Sequence, residues 1–238
     1  MHDAPYPCRY LKLPTSFDTA RIEAELDALL RPQWVGHMNT GYYEGGWRCL
    51  ALRSVDGDAQ NIQVIPNAEF RDTEALGQCD YLREVLDSFA CDKTSVRLMA
   101  LDAGGVIKPH RDRGGAFEDG LARLHIPLRT QAAVTFCIDD DEVHFSRGDT
   151  WYLNADCTHA VYNRSPDTRI HLMLDCPVNP WLQQLFDSSG FVPRAPAPYG
   201  DPAINDDNVL DIIANLRTAG SAGALQLAQR FEDTHRDR

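Results

Sequence analysis

The chain has 238 residues, 43% of them apolar and 24% charged, with a formal net charge of −12; it is long enough for one large domain, or a domain with an appendage, around a substantial core. The acidic balance argues against nucleic acid or an anionic membrane surface as the main partner, because both want a basic face. The opening MHDAPYPCRYLKL lacks the basic and apolar regions of a secretory signal and no stretch has the length of a membrane span, so a cytoplasmic protein is expected.

The first predicted element is a helix: Asp18 can cap it, Phe17 and Ile22 have the spacing of a hydrophobic staple, Ile22, Leu26, Leu29 and Leu30 form one stripe, and Pro32 ends it. GGWRCLALR reads as a strand after paired glycines, and Leu82, Val85, Leu86 and Phe89 recur at helical spacing within 80–89. From Ser95 to Cys176 the texture changes to short segments rich in Val, Ile, Leu, Thr and aromatics between Gly, Pro and Asp clusters. Strands are expected near 95–101, 105–110, 122–129, 132–138, 142–147, 150–154, 158–163 and 168–175. About eight such strands make a jelly roll rather than a βαβ fold. After Cys176 come prolines at 177, 180, 193, 196, 198 and 202, and the stretch FVPRAPAPYGDP reads as a connector. Val209, Ile212, Ile213 and Leu216 then mark a helix and about 222–232 a last one, either packed on the barrel or making a homodimer contact. The expected organisation is a jelly-roll domain over 1–190, a Pro-rich connector over 191–204 and a helical tail over 205–238.

The tetrapeptide HRDR occurs twice, at 110–113 and at 235–238. The first copy follows a predicted strand and precedes a glycine-rich turn, so His110 and Asp112, two apart, would share a face at a barrel mouth. The second lies in the last four residues, and His235 and Asp237 read as solvated tail. A metal site of two histidines and one carboxylate needs one more histidine. His159, in WYLNADCTHAVYN, is the candidate. Ten residues on, Arg169 in TRIHLMLD offers a guanidinium fork for a dicarboxylate cosubstrate. The seven cysteines are scattered without a Cys-x-x-Cys pair and read as reduced thiols; Cys157, two before His159, is the one nearest this chemistry.

With these residues the chain resembles the aspartyl/asparaginyl β-hydroxylases together with the bacterial proline hydroxylases. The similarity runs in order through GGWRCLAL, YLREVL, VIKPHRD to RLHIPL, SRGDTWYLNADCTHAV and TRIHLMLD, and stops near Asp187. The resemblance implies a mainly β, double-stranded β-helix (cupin-like jelly roll) core with flanking α-helices. It implies a dioxygenase that uses Fe(II), 2-oxoglutarate and O2 to hydroxylate an amino acid, free or within a peptide or a carrier-bound intermediate. His110, Asp112 and His159 would be the iron ligands and catalytic centre, Arg169 would bind the distal carboxylate of 2-oxoglutarate, and Arg123 and His125, two apart on one strand face, would help to hold it. In the animal aspartyl hydroxylases glycine replaces the carboxylate; Asp112 places this chain with the complete triads and speaks against a halogenase.

Other residues carry blander readings. His144 reads as structural, and His171 as either structural or touching the pocket. The run 139–142 reads as a hairpin turn rather than a calcium loop, which needs a glycine and a different spacing. Trp47 and Trp151 read as core aromatics, and Arg97 as a candidate for a substrate carboxylate. A cupin-like module that binds metal and a small carboxylate without turnover is the competing expectation, because a jelly roll alone does not fix function.

Overall fold

The structure, a computed structural model, describes residues 6–29, 34–65, 68–201 and 203–238. It divides into a larger unit, Cys8–Val192, and a smaller one whose described residues are Tyr6, Pro7 and those of Pro193–Arg238. The strands of the larger unit are β1 (Tyr10–Ser16), β2 (Val35–Gly36), β3 (Tyr43–Glu44), β4 (Trp47–Ser54), β5 (Arg71–Asp72), β6 (Ser95–Leu101) and β7 (Val106–His110). They continue as β8 (Leu121–Arg129), β9 (Val134–Ile138), β10 (Asp141–Val143), β11 (Asp149–Leu153), β12 (His159–Asn163) and β13 (Arg169–Pro177). Four helices accompany them: α1 (Thr19–Leu29), α2 (Glu74–Gly77), α3 (Asp80–Asp87) and α4 (Pro180–Ser188).

All pairings among the described strands are antiparallel, in two sheets. The larger runs β1-β11-β8-β13-β6-β4-β2, with β5 beside β4; the smaller runs β10-β9-β12-β7-β3. From β6 onward the chain crosses between them at every step except the β9–β10 hairpin: β6 large, β7 small, β8 large, β9 and β10 small, β11 large, β12 small, β13 large. That alternation is the winding of a double-stranded β-helix, so the fold is the expected jelly roll with flanking helices.

The period of two in the large sheet decides where core and site lie. On β4, β6, β8 and β13 the even-numbered side chains, Leu50, Leu98, Leu124 and Leu172 among them, share one core with Ile22, Leu26, Leu82 and Phe186 of the helices. The odd-numbered ones face the other way, and Arg97, Arg123, His125 and Arg169 among them line a cavity.

Helix α1 forms as predicted: the Asp18 side chain accepts the N–H groups of Ala20 (2.9 Å) and Arg21 (3.3 Å), and Ile22, Leu26 and Leu29 are buried. Leu30 and Pro32 fall outside the described residues. Glu25 of α1 accepts the N–H groups of Tyr81 and Leu82 at the start of α3, joining the two helices through orphan donors.

Four features differ from expectation. Helix α4 was not expected: Pro180 opens it behind an Asn179 cap that accepts from the N–H of Leu182 at 2.9 Å. The strand expected over 142–147 stops at Val143. Strand β1 was not expected at all. In the smaller unit α5 (Val209–Ala219) and α6 (Ala222–Arg236) enclose Tyr199, Val209, Ile213 and Phe231, and α6 includes the first half of the second HRDR. His235 is therefore not frayed tail: its Nδ1 lies 2.9 Å from the Tyr199 hydroxyl and 3.7 Å from Asp206, whereas Asp237 is exposed as expected.

Candidate metal centre and carboxylate pocket

The register of one strand pair assembles the centre. In the β7–β12 ladder His159 and His110 are direct partners, so residues 49 apart in sequence meet with ring centroids 4.2 Å apart. Strand β7 ends at His110, and Asp112 lies in the following turn rather than on the strand. That turn is fixed by the Asp112 N–H donating to Ala155 (2.9 Å) and the Gly115 N–H donating to Asp112 (3.1 Å). Position 115 admits glycine alone, because a Cβ there would lie 2.8 Å from both Ala155 Cβ and the Asp112 carbonyl.

One ligand atom from each of His110, Asp112 and His159 lies within 4.8 Å of the others, a group that can hold a metal ion. The tautomers suit that role. His110 Nδ1 is 2.8 Å from the Lys108 carbonyl and His159 Nδ1 is 3.0 Å from the Cys157 carbonyl. A carbonyl only accepts, so each Nδ1 carries the proton and each Nε2 keeps its lone pair for the ion. Burial, followed by the charge of His110, lowers His159 to about 4, which keeps it neutral as a ligand must be. Burial would raise Asp112, but the Arg123 guanidinium and then the two histidines more than offset this and leave it lowered and ionised.

Behind the cluster runs a buried chain of charges. Arg123 bonds Asp112 through one nitrogen and Asp175 through Nε, at 2.8 Å; Asp175 also accepts from Arg97 at 3.0 Å. The register again explains the meeting, since Asp175 of β13 stands opposite Arg123 of β8. Burial would raise Asp175, yet Arg123 and Arg97 hold it below the usual carboxylate range.

Arg169 differs from these arginines. It is 3% exposed, lines the same cavity, and among the described residues has no carboxylate partner; its guanidinium rests 5.3 Å above the Phe136 ring and its Nε is unbonded. Burial pulls it down to about 9, the mark of a cation short of an anion. His125 is buried with both ring nitrogens unbonded, and burial followed by the charges of Arg169 and Arg123 holds it neutral. The cavity therefore offers one cation and one neutral imidazole with free hydrogen-bonding capacity beside the metal cluster.

The remaining candidates separate. Arg97, 7% exposed, lines the cavity and also donates to the Ile62 carbonyl at 3.3 Å. His171 is buried outside the cavity lining, flat against Phe136 and edge-on to His125. His144 Nδ1 lies 2.8 Å from the Val134 carbonyl, a structural bond. The run 139–142 makes the β9–β10 turn, with Asp139 at φ 48°. Cys157 is buried and raised to about 12 by burial and then Asp139, which leaves an inert thiol. Trp151 stacks on Phe145 but is only half-buried, and Trp47, also expected in the core, is buried but lines the cavity with one face covered by His37 at 3.6 Å.

Sequence reasoning missed Asp175 and the mouth-forming residues His37, Met38, Tyr42 and Val64. Asp175 was within reach: it shares the parity of Arg169 and His171 on one strand.

A jelly roll with two histidines and a carboxylate at its mouth, backed by buried arginines, defines a cupin-like protein that can hold a single metal ion beside a carboxylate ligand. The chain belongs to the aspartyl/asparaginyl β-hydroxylase family, which matches residues 16–178. It is 28% identical over 165 residues to the L-proline cis-4-hydroxylase of Rhizobium meliloti (strain 1021), covering 67% of this chain and 57% of that protein. Over 163 residues it is 22% identical to an L-proline cis-3-hydroxylase of a Streptomyces species, covering 66% and 56%. The chain thus spans little more than half the length of these curated relatives. A solved 2OG-Fe(II) oxygenase family structure from Burkholderia pseudomallei aligns with a TM-score of 0.48 and 14% identity, over 71% of this chain and 85% of that one. No described helix is long and apolar enough to cross a membrane.

Proposed function

We propose that the chain is an Fe(II)- and 2-oxoglutarate-dependent dioxygenase that hydroxylates an amino acid, free or as part of a larger molecule. The observation that carries this reading is the shared cavity of the His110, Asp112 and His159 cluster and a buried, uncompensated Arg169. Two neutral histidines and one carboxylate are the donor set of a non-haem iron(II) site that keeps positions open for a chelating cosubstrate and dioxygen. When bound, iron(II) with 2-oxoglutarate supplies the chemistry: dioxygen is split, one atom enters a C–H bond and the other converts 2-oxoglutarate to succinate and carbon dioxide.

The protein's own residues bind, orient and exclude water. Arg169 meets the distal carboxylate of the cosubstrate with its fork, and the hydration lost to burial is offset in that pair. His125 has an N–H to donate to the same ligand. Arg123 holds Asp112 and is itself held by Asp175, so its role in cosubstrate binding acts partly through the position of the carboxylate ligand. Met99, Phe136, Val161 and Met173 make the cavity wall apolar around these charges.

Loading the protein with Zn(II), which is redox-inert, and titrating 2-oxoglutarate by calorimetry tests the reading. Arg169→Ala should weaken 2-oxoglutarate about 10- to 100-fold, the value of a charge-assisted fork. His110→Ala should abolish iron-dependent succinate formation. Unchanged 2-oxoglutarate affinity in Arg169→Ala excludes the proposed role, and tight binding with no turnover on any amino acid or peptide returns the chain to the class of non-catalytic sensors.

A further inference from the structure

Resting on the hydroxylase reading, the cavity's charges and walls narrow the substrate. Arg97, Arg123 and Arg169 contribute three positive charges; Asp112, the carboxylate of the metal cluster, and Asp175, paired with Arg97 and Arg123, contribute two negative ones. A divalent metal and the dianion of 2-oxoglutarate cancel each other, so one positive charge remains for the substrate to neutralise. Arg97 is placed to receive that anion. It lines the cavity, is more than nine-tenths buried, shares Asp175 with Arg123, and its Nε has no partner. A buried guanidinium that owns only part of one carboxylate is stabilised by another.

The same cavity offers an ammonium group no free carboxylate. Among the described residues Asp112 is the one carboxylate lining it, and Asp112 is committed to Arg123 and to the metal cluster. The histidines of the wall give no negative charge, and the arginines repel a cation. Trp47, which could offer an aromatic face to a cation, has a face covered by the His37 ring.

Size and polarity describe the rest of the molecule. The cavity holds about 230 Å³, below the roughly 300–1,000 Å³ of ordinary small-molecule sites, so beside 2-oxoglutarate it admits little more than the reacting end of a substrate. Outside it the surface turns apolar. Of the seven large apolar side chains exposed among the described residues, four lie in the two segments at the opening: Met38 (57% exposed), Tyr42 (49%), Val64 (46%) and Ile65 (45%). Three of these line the cavity itself. An exposed apolar patch at the rim of a polar site marks where a ligand continues.

We infer that the substrate is an amino acid with a free carboxylate, read by Arg97, and an amine blocked by an apolar acyl group that lies across Met38, Tyr42 and Val64. A free amino acid would leave its ammonium among arginines, and a carrier-bound thioester would leave Arg97 without its anion.

Calorimetry on the full chain loaded with Zn(II) and saturated with 2-oxoglutarate tests this. Four sets built on the twenty proteinogenic amino acids are compared: N-octanoyl acids, their methyl esters, the free amino acids, and tripeptides of the form Leu-Val-X with a free C-terminus. One N-octanoyl acid should bind about 10- to 100-fold more tightly than both its methyl ester and its free amino acid, and with Fe(II) in air it should gain the mass of one oxygen. A matching tripeptide that binds more tightly still identifies the acyl group as peptidyl; a weaker one identifies it as a fatty acyl chain, and both support the blocked amine. Arg97→Gln should reduce the preference for acid over ester to within about twofold. If 2-oxoglutarate binds but a free amino acid equals or exceeds every acylated compound, or no acylated compound binds, the inference is overturned and the hydroxylase reading stands. If 2-oxoglutarate itself does not bind, that reading falls and the inference with it.

Discussion

Asp175 touches none of the candidate metal ligands, yet the position of one of them depends on it. It is 2% exposed and accepts hydrogen bonds from both Arg97 and Arg123, and Arg123 carries the connection to Asp112. It is a positioning residue: an anion that fixes a guanidinium, which fixes a carboxylate. Asp175→Asn leaves two buried arginines short of their counter-charge, and removing one partner of a buried ion pair costs about 3–5 kcal/mol. Urea denaturation should record that loss. A merely structural role would stop there, but the relay also requires the folded variant to bind Zn(II) about tenfold more weakly, as removing an outer partner of a metal ligand does. Wild-type zinc affinity in the folded variant would exclude the relay.

At the scale of elements, what the sequence disclosed follows how local each signal is. The strands that carry the site are short runs of strand-forming residues between Gly, Pro and Asp clusters, so β6, β8, β12 and β13 were legible, and HRDR, THAV and TRIH lay on or beside them. The register that sets His110 opposite His159 was not legible, because pairing across 49 residues is a property of the fold. β1 escaped because YLKLPTS lies at a sheet edge, contains a proline and is mostly half-exposed, so it carries no clean period of two. The mouth segment 35–44 is built of two-residue strands, too short for any period. α4 was hidden by prolines that mark a helix start as readily as a connector. One junction shows how tightly separate elements are fitted: Gly148, at φ 78°, accepts the Phe17 N–H at 2.9 Å and donates to Pro127 at 2.8 Å, tying the end of β1 to the approach to β11. A Cβ there would lie 2.9 Å from the Phe17 carbonyl. Gly148→Ala should therefore cost about 1–3 kcal/mol from left-handed strain and close approach together. An unchanged urea midpoint would mean that the junction yields without cost.

For the whole molecule, burying neutral histidines makes stability depend on pH in a definite direction. His125, His159 and His171 are each no more than 6% exposed. Burial is the largest cause in all three; it brings His159 to about 4 and holds His125 and His171 well below the ordinary 6.5. Between those values the unfolded chain takes up protons that the native chain refuses, so stability rises with pH there. The contribution is fully present above 6.5 and is lost as pH falls toward the folded values. The lowered carboxylates Asp112 and Asp175 follow the same sign, but their window opens only near the unfolded carboxylate value of 3.8, so between pH 7.5 and 5.5 the histidines dominate. Each contributes about 1.4 kcal/mol per pH unit below 6.5, so three together remove about 4 kcal/mol at pH 5.5. That is a large share of the 5–15 kcal/mol that usually separates folded from unfolded domains. Urea titrations of chelator-treated protein at the two pH values measure it directly. His171→Phe, which keeps a ring against Phe136 and removes one titrating group, should reduce the loss by about a third. Equal midpoints at pH 7.5 and 5.5 would mean that these histidines accept protons inside the fold, and the neutral imidazoles required for metal binding would then have to be held by the metal rather than by the protein.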